Sequence, residues 1–402
     1  MRMTRITNSM LVNNYTRNSQ RNLNNMQTLQ TQLSTGKLYS KPSDNPVKVS
    51  RIMGLYSDIS ANEQYNENIK DTSSWLDTTD AALGEINNLL SRVRELMVTV
   101  GNGSYDDTQR ESIQTEMKQK VSQLAQILNT NFDGSYIFGG TKSQSKPVTV
   151  DENGMIQFAD KDGNAVLPII DGTSKIDSIM QQNNTIIINY SKKNGTNVAD
   201  TVNTVTVDLN KVDANNTSGD LIKEALTKAG FAATSADKAV DAYNTLNQIG
   251  SELTVEISQG VYVEYNKTAM DFMKYTDKDG NVKNVSDTLN KIIQNLNPDG
   301  TKNPDGTLAD HTAVFGELLT DMDSIIGNLL NLRSDVGVIS NRMESAQKSN
   351  ETVNENLTNI LSKTEDVDFA EKIMEYSVLQ TVYMASLQVS AKILPQTIMD
   401  YL

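Results

Sequence analysis

Met322, Ile325, Leu329, Leu332, Val336, Ile339, Met343 and Ala346 recur in steps of three and four, and the register runs on through Asn350, Val353, Leu357 and Ile360. A seam held for more than five heptads restricts this stretch to a long helix packed on another helix. It predicts one helix over about 316–362, roughly 70 Å long at 1.5 Å per residue. Asn350 falls on the seam, where a polar side chain fixes register at some cost in stability or marks a break. Register is the favoured reading.

A second seam, Leu76, Leu83, Ile86, Leu90, Val93, Met97 and Val100, stops at Gly101-Asn102-Gly103, a strong helix-ending turn signal. Trp75 stands at the start of that amphipathic stretch, as an anchor against neighbouring helices. A third helix is expected from Asp107-Thr108, presenting Ile113, Met117, Val121, Leu124 and Leu128. Upstream, Met26, Leu29 and Leu33 form a shorter stripe that stops at Gly36, and helix resumes after Pro46 over Val47 to Ile69. At the carboxyl end Val378, Val382, Ala385 and Val389 make one stripe, and Leu379, Tyr383 and Leu387 a neighbouring one. A helix with two apolar stripes can touch partners on more than one side.

Between about 137 and 310 the pattern changes. Val148–Val150, Met155–Phe158, Thr185–Tyr190, Val202–Leu209, Leu253–Ile257 and Val261–Tyr265 are short apolar or alternating runs separated by Gly-containing turns, and they read as strands and hairpins. Short helices are expected near 219–230, 235–248 and 286–296. The near-duplicated Asn297-Pro298-Asp299-Gly300 and Asn303-Pro304-Asp305-Gly306 turns close this region. The expected fold is therefore mainly α with one inserted β-rich (α+β) domain, on a long antiparallel coiled-coil stem built from both chain ends. Its divisions are 1–60, a helical polymerisation segment with a loop; 61–136, amino-terminal stem helices; 137–310, the projecting insert; 311–362, the long stem helix; and 363–402, a carboxyl-terminal polymerisation helix.

Composition narrows the chemistry. Only 37% of the 402 residues are hydrophobic and 5% aromatic, which suits slender helices with narrow apolar stripes. A net charge of −14 leaves no basic excess to displace the counterions of a phosphate backbone, so nucleic acid is not an expected partner. Residues 1–60 nevertheless carry +6, leaving −20 on the rest; a contact with an acidic partner and a solvated basic face account for this equally well. There is no cysteine, hence no disulfide or thiolate metal site. No apolar run is long enough for a membrane span or a secretory signal, so membrane insertion is not expected and composition alone points to the cytoplasm.

Catalytic readings fail one by one. His311 is the sole histidine, which excludes two-histidine zinc sites. Asp160-Lys161-Asp162-Gly163-Asn164 and Asp277-Lys278-Asp279-Gly280-Asn281 resemble calcium loops, but the glycine comes two positions too early and the twelfth residue is Asp171 or Thr288 instead of glutamate. Hairpin turns explain both at least as well. Asp44 with Asp58, and Asp366 with Asp368, flank helix starts and suit capping and loop closure better than acid–base work. Gly139-Gly140-Thr141-Lys142 lacks the full spacing of a phosphate loop. Neither an enzyme nor a cofactor is expected.

Leu33-Ser34-Thr35-Gly36-Lys37 followed by Ser43-Asp44-Asn45-Pro46, with Arg333 to Ser345 in the long seam, resembles the terminal segments of the flagellin superfamily. Within it, Gly134-Ser135-Tyr136-Ile137-Phe138-Gly139-Gly140-Thr141-Lys142, Ile257-Ser258-Gln259-Gly260-Val261 and the final Asp400-Tyr401-Leu402 look most like the hook-associated members of the hook–filament junction. Lys41-Pro42 departs from the smaller residues of the flagellin loop. The resemblance implies paired terminal helices that order when subunits assemble into a homo-oligomeric ring. Assembly residues would then be Ile6, Met10, Met26, Leu29, Leu33, Phe369, Ile373, Val378, Val382, Val389 and Ile393, with Gly36, Pro42, Asp44 and Pro46 shaping the loop between helices. It implies export through the flagellar type III apparatus without a cleaved signal, replacing the cytoplasmic default with the flagellum outside the cell. Implied partners are the first hook-associated protein (FlgK) on the hook side, flagellin on the filament side and an export chaperone. Flagellin itself, the filament subunit, is the alternative. An enzyme displayed on the same scaffold would need a catalytic cluster within 140–310, which holds neither histidine nor cysteine.

Overall fold

A computed structural model describes residues 8–101, 107–151, 154–171, 174–192, 201–212, 216–296 and 311–393. The chain divides into two compact units, one of residues before 68 and after 346, the other of 68–346, and the divisions fall inside helices α2 (Pro46–Gly101) and α8 (His311–Glu365). His311 is thus the first residue of α8.

The larger unit is built on α2, α3 (Asp107–Leu128) and α8. Leu83, Ile86, Leu90, Val93 and Met97 are buried along α2, and Met322, Ile325, Leu329, Leu332, Val336 and Met343 along α8; Ile339 is half-buried against the same core. Arg94 pairs with Asp323 at 2.7 Å and Arg333 grips Asp80 through both carboxylate oxygens at 2.9 Å, so α2 and α8 run antiparallel. Sequence spacing suggests two helices where α2 is one. The polar run that separates the stripes is accommodated because the Thr72, Ser73 and Ser74 hydroxyls donate to the carbonyls of Asn68, Ile69 and Lys70, four residues back. Trp75 consequently stands in mid-helix, and its ring meets the edges of Phe132 and Tyr265 at 6.1 and 5.9 Å between centroids, partners from loops and hairpins rather than helices.

Small antiparallel hairpins decorate this core: β1 (Asn131–Phe132) with β2 (Ser135–Tyr136), and β3 (Val148–Val150) with β4 (Ile156–Phe158). A four-stranded sheet follows, in the order β5 (Ile169–Asp171), β6 (Ser174–Gln182), β7 (Thr185–Lys192), β8 (Thr201–Asp208). Helices α4 (Ser218–Lys228) and α5 (Ala233–Ile249) close a second core on it, around Ile176, Ile186, Ile188, Ile222 and Leu226. The remainder is the hairpin β9 (Thr254–Ser258) and β10 (Val261–Glu264), α6 (Ala269–Met273), β11 (Lys274–Thr276) with β12 (Val282–Asn284), and α7 (Val285–Asn295). Strand β6 has no counterpart in the strand pattern read from sequence. Its register shifts between Ile176 and Ser178, so the two inward residues Ile176 and Ile179 are three apart and mimic helical spacing.

Candidate assembly interface

Among the described residues, the smaller unit carries most of the exposed large apolar side chains. In it α1 (Asn8–Thr35) packs on α9 (Phe369–Ile393). Lys37 bridges Asp366, and Phe369 lies against Gly36, so the end of α1 meets the start of α9 and the two run antiparallel. Their shared seam is polar and thin. From α1 it takes Tyr15, Ser19, Asn22, Met26, Leu29 and Leu33; from α9, Lys372, Tyr376, Leu379, Tyr383 and Ser386. Of these only Leu29 is fully buried.

The other sides of α9 remain uncovered. Phe369, Ile373, Met374, Val378, Val382, Met384, Leu387 and Val389 are 45–64% exposed, and Met10 on α1 is 56% exposed. Of the two stripes on this helix, Leu379 and Tyr383 are half-buried on the α1 side, while Leu387 of the same stripe is exposed and Val378, Val382 and Val389 of the other face outward. An apolar surface on several sides of one helix has a plain physical use, burial against further helices. Among the expected assembly residues, Met26, Leu29 and Leu33 lie within the α1–α9 seam. Ile6 is outside the described residues, and Ile393 is the last residue of α9.

The loop after α1 is fastened to the α8–α9 joint. Gly36 takes a positive φ of 71°, and its carbonyl accepts from Val367 N–H at 3.0 Å while Leu38 N–H donates to the Glu365 carbonyl at 2.7 Å. The Lys37 ammonium sits 2.7 Å from Glu365 Oε1 and 3.0 Å from Tyr56 Oη, and Tyr56 donates to Glu365 Oε2 at 2.6 Å. Those hydrogen bonds, to Glu365 first and then Tyr56, hold the Lys37 amine above its ordinary pKa. Asp44 closes the loop by accepting from Ser40 and Lys41 N–H, Pro42 is exposed at its tip, and Pro46 opens α2. Asp368 caps α9 by accepting from Ala370 and Glu371 N–H. Sequence reasoning singled out the loop glycine, prolines and Asp44 but missed the Lys37–Tyr56–Glu365 triad. Its members are 19 and 309 residues apart along the chain, and no local periodicity links them.

Elsewhere the carboxylates are occupied by their own backbone. Asp160 Oδ1 accepts from Asp162 and Asn164 N–H at 2.8 Å, and Asp277 Oδ1 accepts from Asp279 and Asn281 N–H at 2.9 and 2.8 Å. The two Asp-Lys-Asp-Gly-Asn segments are therefore one turn used twice. Asp277 also faces Lys283, and chiefly the hydrogen bond from Asn281 N–H holds its carboxyl down at a pKa of about 2. Among the described residues no group of three or more potential ligand side chains surrounds a metal position.

Gly139-Gly140 lies where the chain passes under the end of α5. Thr141 N–H donates to the Gln248 carbonyl at 2.9 Å. Gly140 has φ +57°, and a Cβ there would fall 2.6 and 2.9 Å from the Ile249 and Ser251 carbonyl oxygens. Gly140→Ala is accordingly expected to destabilise the larger unit by about 1–3 kcal/mol, measured as a lower midpoint of thermal unfolding; an unchanged midpoint would show that this passage relaxes freely.

Residues 6–143 match the family model described as the bacterial flagellin N-terminal helical region, and residues 319–402 match the bacterial flagellin C-terminal helical region; together they account for more than half of the chain. A flagellin from Clostridium tyrobutyricum is 25% identical over 389 residues, covering 92% of this chain and 94% of that protein. Flagellar hook-associated protein 3 of Salmonella typhimurium is 30% identical over 117 residues, 29% of this chain and 37% of that protein. Among solved structures, hook-associated protein-3 from Legionella pneumophila aligns with a TM-score of 0.42 at 19% identity, covering 78% of this chain and 98% of that one. FlgL from Bacillus cereus aligns with 0.39 at 16%, covering 77% and 99%.

Proposed function

The chain belongs to the flagellin family, a family of structural flagellar proteins rather than enzymes, and we propose that it is the subunit of the hook–filament junction. The uncovered apolar sides of α9 carry the polymerisation part of this reading. A subunit whose terminal helices pair with each other through a thin polar seam, and still expose apolar side chains, gains stability when neighbouring copies cover them. Assembly into a ring would bring FlgK to the hook side and flagellin to the filament side, and a chaperone would cover α9 before export. The junction, as opposed to the filament, is favoured by the Gly134–Lys142 segment. Its resemblance to junction members falls on residues that the fold needs, with Gly140 under the α5 carbonyls.

Flagellin itself is the second reading, favoured by a match that runs nearly the full length of the chain. Deletion of the gene separates the two. We expect hooks without filaments by electron microscopy, with flagellin shed into the medium as monomer. Filaments of normal length would overturn the junction role, and hooks without filaments but with no flagellin shed into the medium would move the chain to the filament.

A further inference from the structure

In α8, Met322, Leu329, Val336, Met343, Asn350, Leu357 and Thr364 recur every seven residues and face inward throughout. The position that accompanies them changes. Before Asn350 it is the third residue on, Ile325, Leu332, Ile339 and Ala346, with the fourth, Ile326, Arg333 and Ser340, half-buried beside it; after Asn350 only the fourth, Asn354 and Leu361, stays half-buried. Val353 and Ile360, which continue the heptad of the sequence, are exposed at 45% and 38%. A straight helix drifts by about 20° per heptad against a strict seven-residue repeat, and over several heptads that drift carries the third position outward.

The seat adopted is not the more apolar of the two. It places Asn354 and Leu361 inward and leaves Val353 and Ile360 in water. It also leaves Asn354 Oδ1 buried without a hydrogen-bond partner among the described residues, and on α2 Asn66 Oδ1 likewise. Nearby, Asn62 Nδ2 donates to the Asn350 carbonyl at 2.6 Å, anchoring the point where the two seats diverge. Glu365, 7% exposed at its side chain, projects on the same side of α8 as Asn354 and Leu361, and it is held there by Lys37 and Tyr56.

We propose that α8 beyond Asn350 has two seats, related by a turn of about 50° (half the angle between successive residues), and that the Lys37–Tyr56–Glu365 clasp selects the one seen here. Turning would bury Val353 and Ile360, release Asn354 to solvent and draw Glu365 out of the clasp. Its use in assembly rests on the junction reading: an element with two discrete arrangements would let one subunit meet two different partners. The two-seat helix itself belongs to the single chain and is tested there.

Because the chain contains no cysteine, single thiols report each face. Val353→Cys and Asn354→Cys are made separately in the full-length chain, each with and without Lys37→Met, and alkylation rates are compared. With Lys37 present the thiol at 353 should react faster than that at 354. With Lys37→Met the thiol at 354 should gain about tenfold, the ratio between a minor state of about 10% and a dominant one, while that at 353 slows. Both thiols speeding up would mean that the helix frays instead of turning, and neither changing would mean a single seat; each outcome overturns the proposal. Ile360→Cys and Leu361→Cys repeat the test away from the asparagine layer. Failure of the full-length chain to polymerise in sedimentation would bear on the junction reading and leave these rates interpretable.

Discussion

Val336→Asp should lower the unfolding midpoint of the larger unit by about 10 °C. Val336 is 2% exposed on the inward face of α8 and belongs to the same buried cluster as α2. An aspartate there must either be buried as an ion or take up a proton, and both are expensive inside an apolar cluster. A loss on the order of 4 kcal/mol lies in the upper range of single substitutions, and for a unit this large each kcal/mol moves the midpoint by roughly 2–4 °C. Val338→Asp is the control, since Val338 is two residues away on the same helix and 64% exposed; it should change the midpoint by less than about 2 °C. Similar losses for both, followed by calorimetry, would show that the penalty comes from helix propensity rather than from the seam. Ile339→Asp should fall between them because Ile339 is half-buried.

That contrast also shows how far the sequence could be read. The seams on α2 and α8 were legible because buried positions repeat at fixed spacing and each heptad repeats the same evidence. Strands such as Val148–Val150 were legible because short β-branched runs stand between turn-forming residues. Helix α2 was harder to read as one element because Thr72, Ser73 and Ser74 look like breakers, and only their hydroxyl bonds back to the preceding turn show why the helix continues. Beyond Asn350 the heptad pointed to Val353 and Ile360, whereas Asn354 and Leu361 turn inward. No local pattern encodes that choice, which depends on helix drift and on a clasp to Lys37, hundreds of residues away. In α9 both apolar stripes were visible. Which residues would meet α1 was not, because both stripes are apolar and the decision lies with the partner surface; Leu379 and Tyr383 turn to it while Leu387 of the same stripe stays exposed.

The second stripe supplies the largest functional expectation: the triple variant Val378→Ser, Val382→Ser, Val389→Ser should abolish incorporation into the flagellum without altering the thermal transition of the larger unit. All three side chains are already about half in water, so removing their apolar surface costs the single chain little. On assembly each would lose the gain from finishing its burial, about 1 kcal/mol. Three such losses at one contact amount to roughly 3 kcal/mol, about a hundredfold in the association constant, and in a ring every subunit bears them at each interface. Sedimentation of the purified chain would show monomer at concentrations where the parent assembles, and cells would carry hooks without filaments. Leu379→Ser would act differently. That residue faces α1, so its loss should loosen the α1–α9 pair in the monomer, visible as faster amide exchange along both helices. If the triple variant loosened the pair as well, the outward stripe would be holding the hairpin together rather than waiting for a neighbour, and the assembly surface would have to be sought elsewhere on the unit.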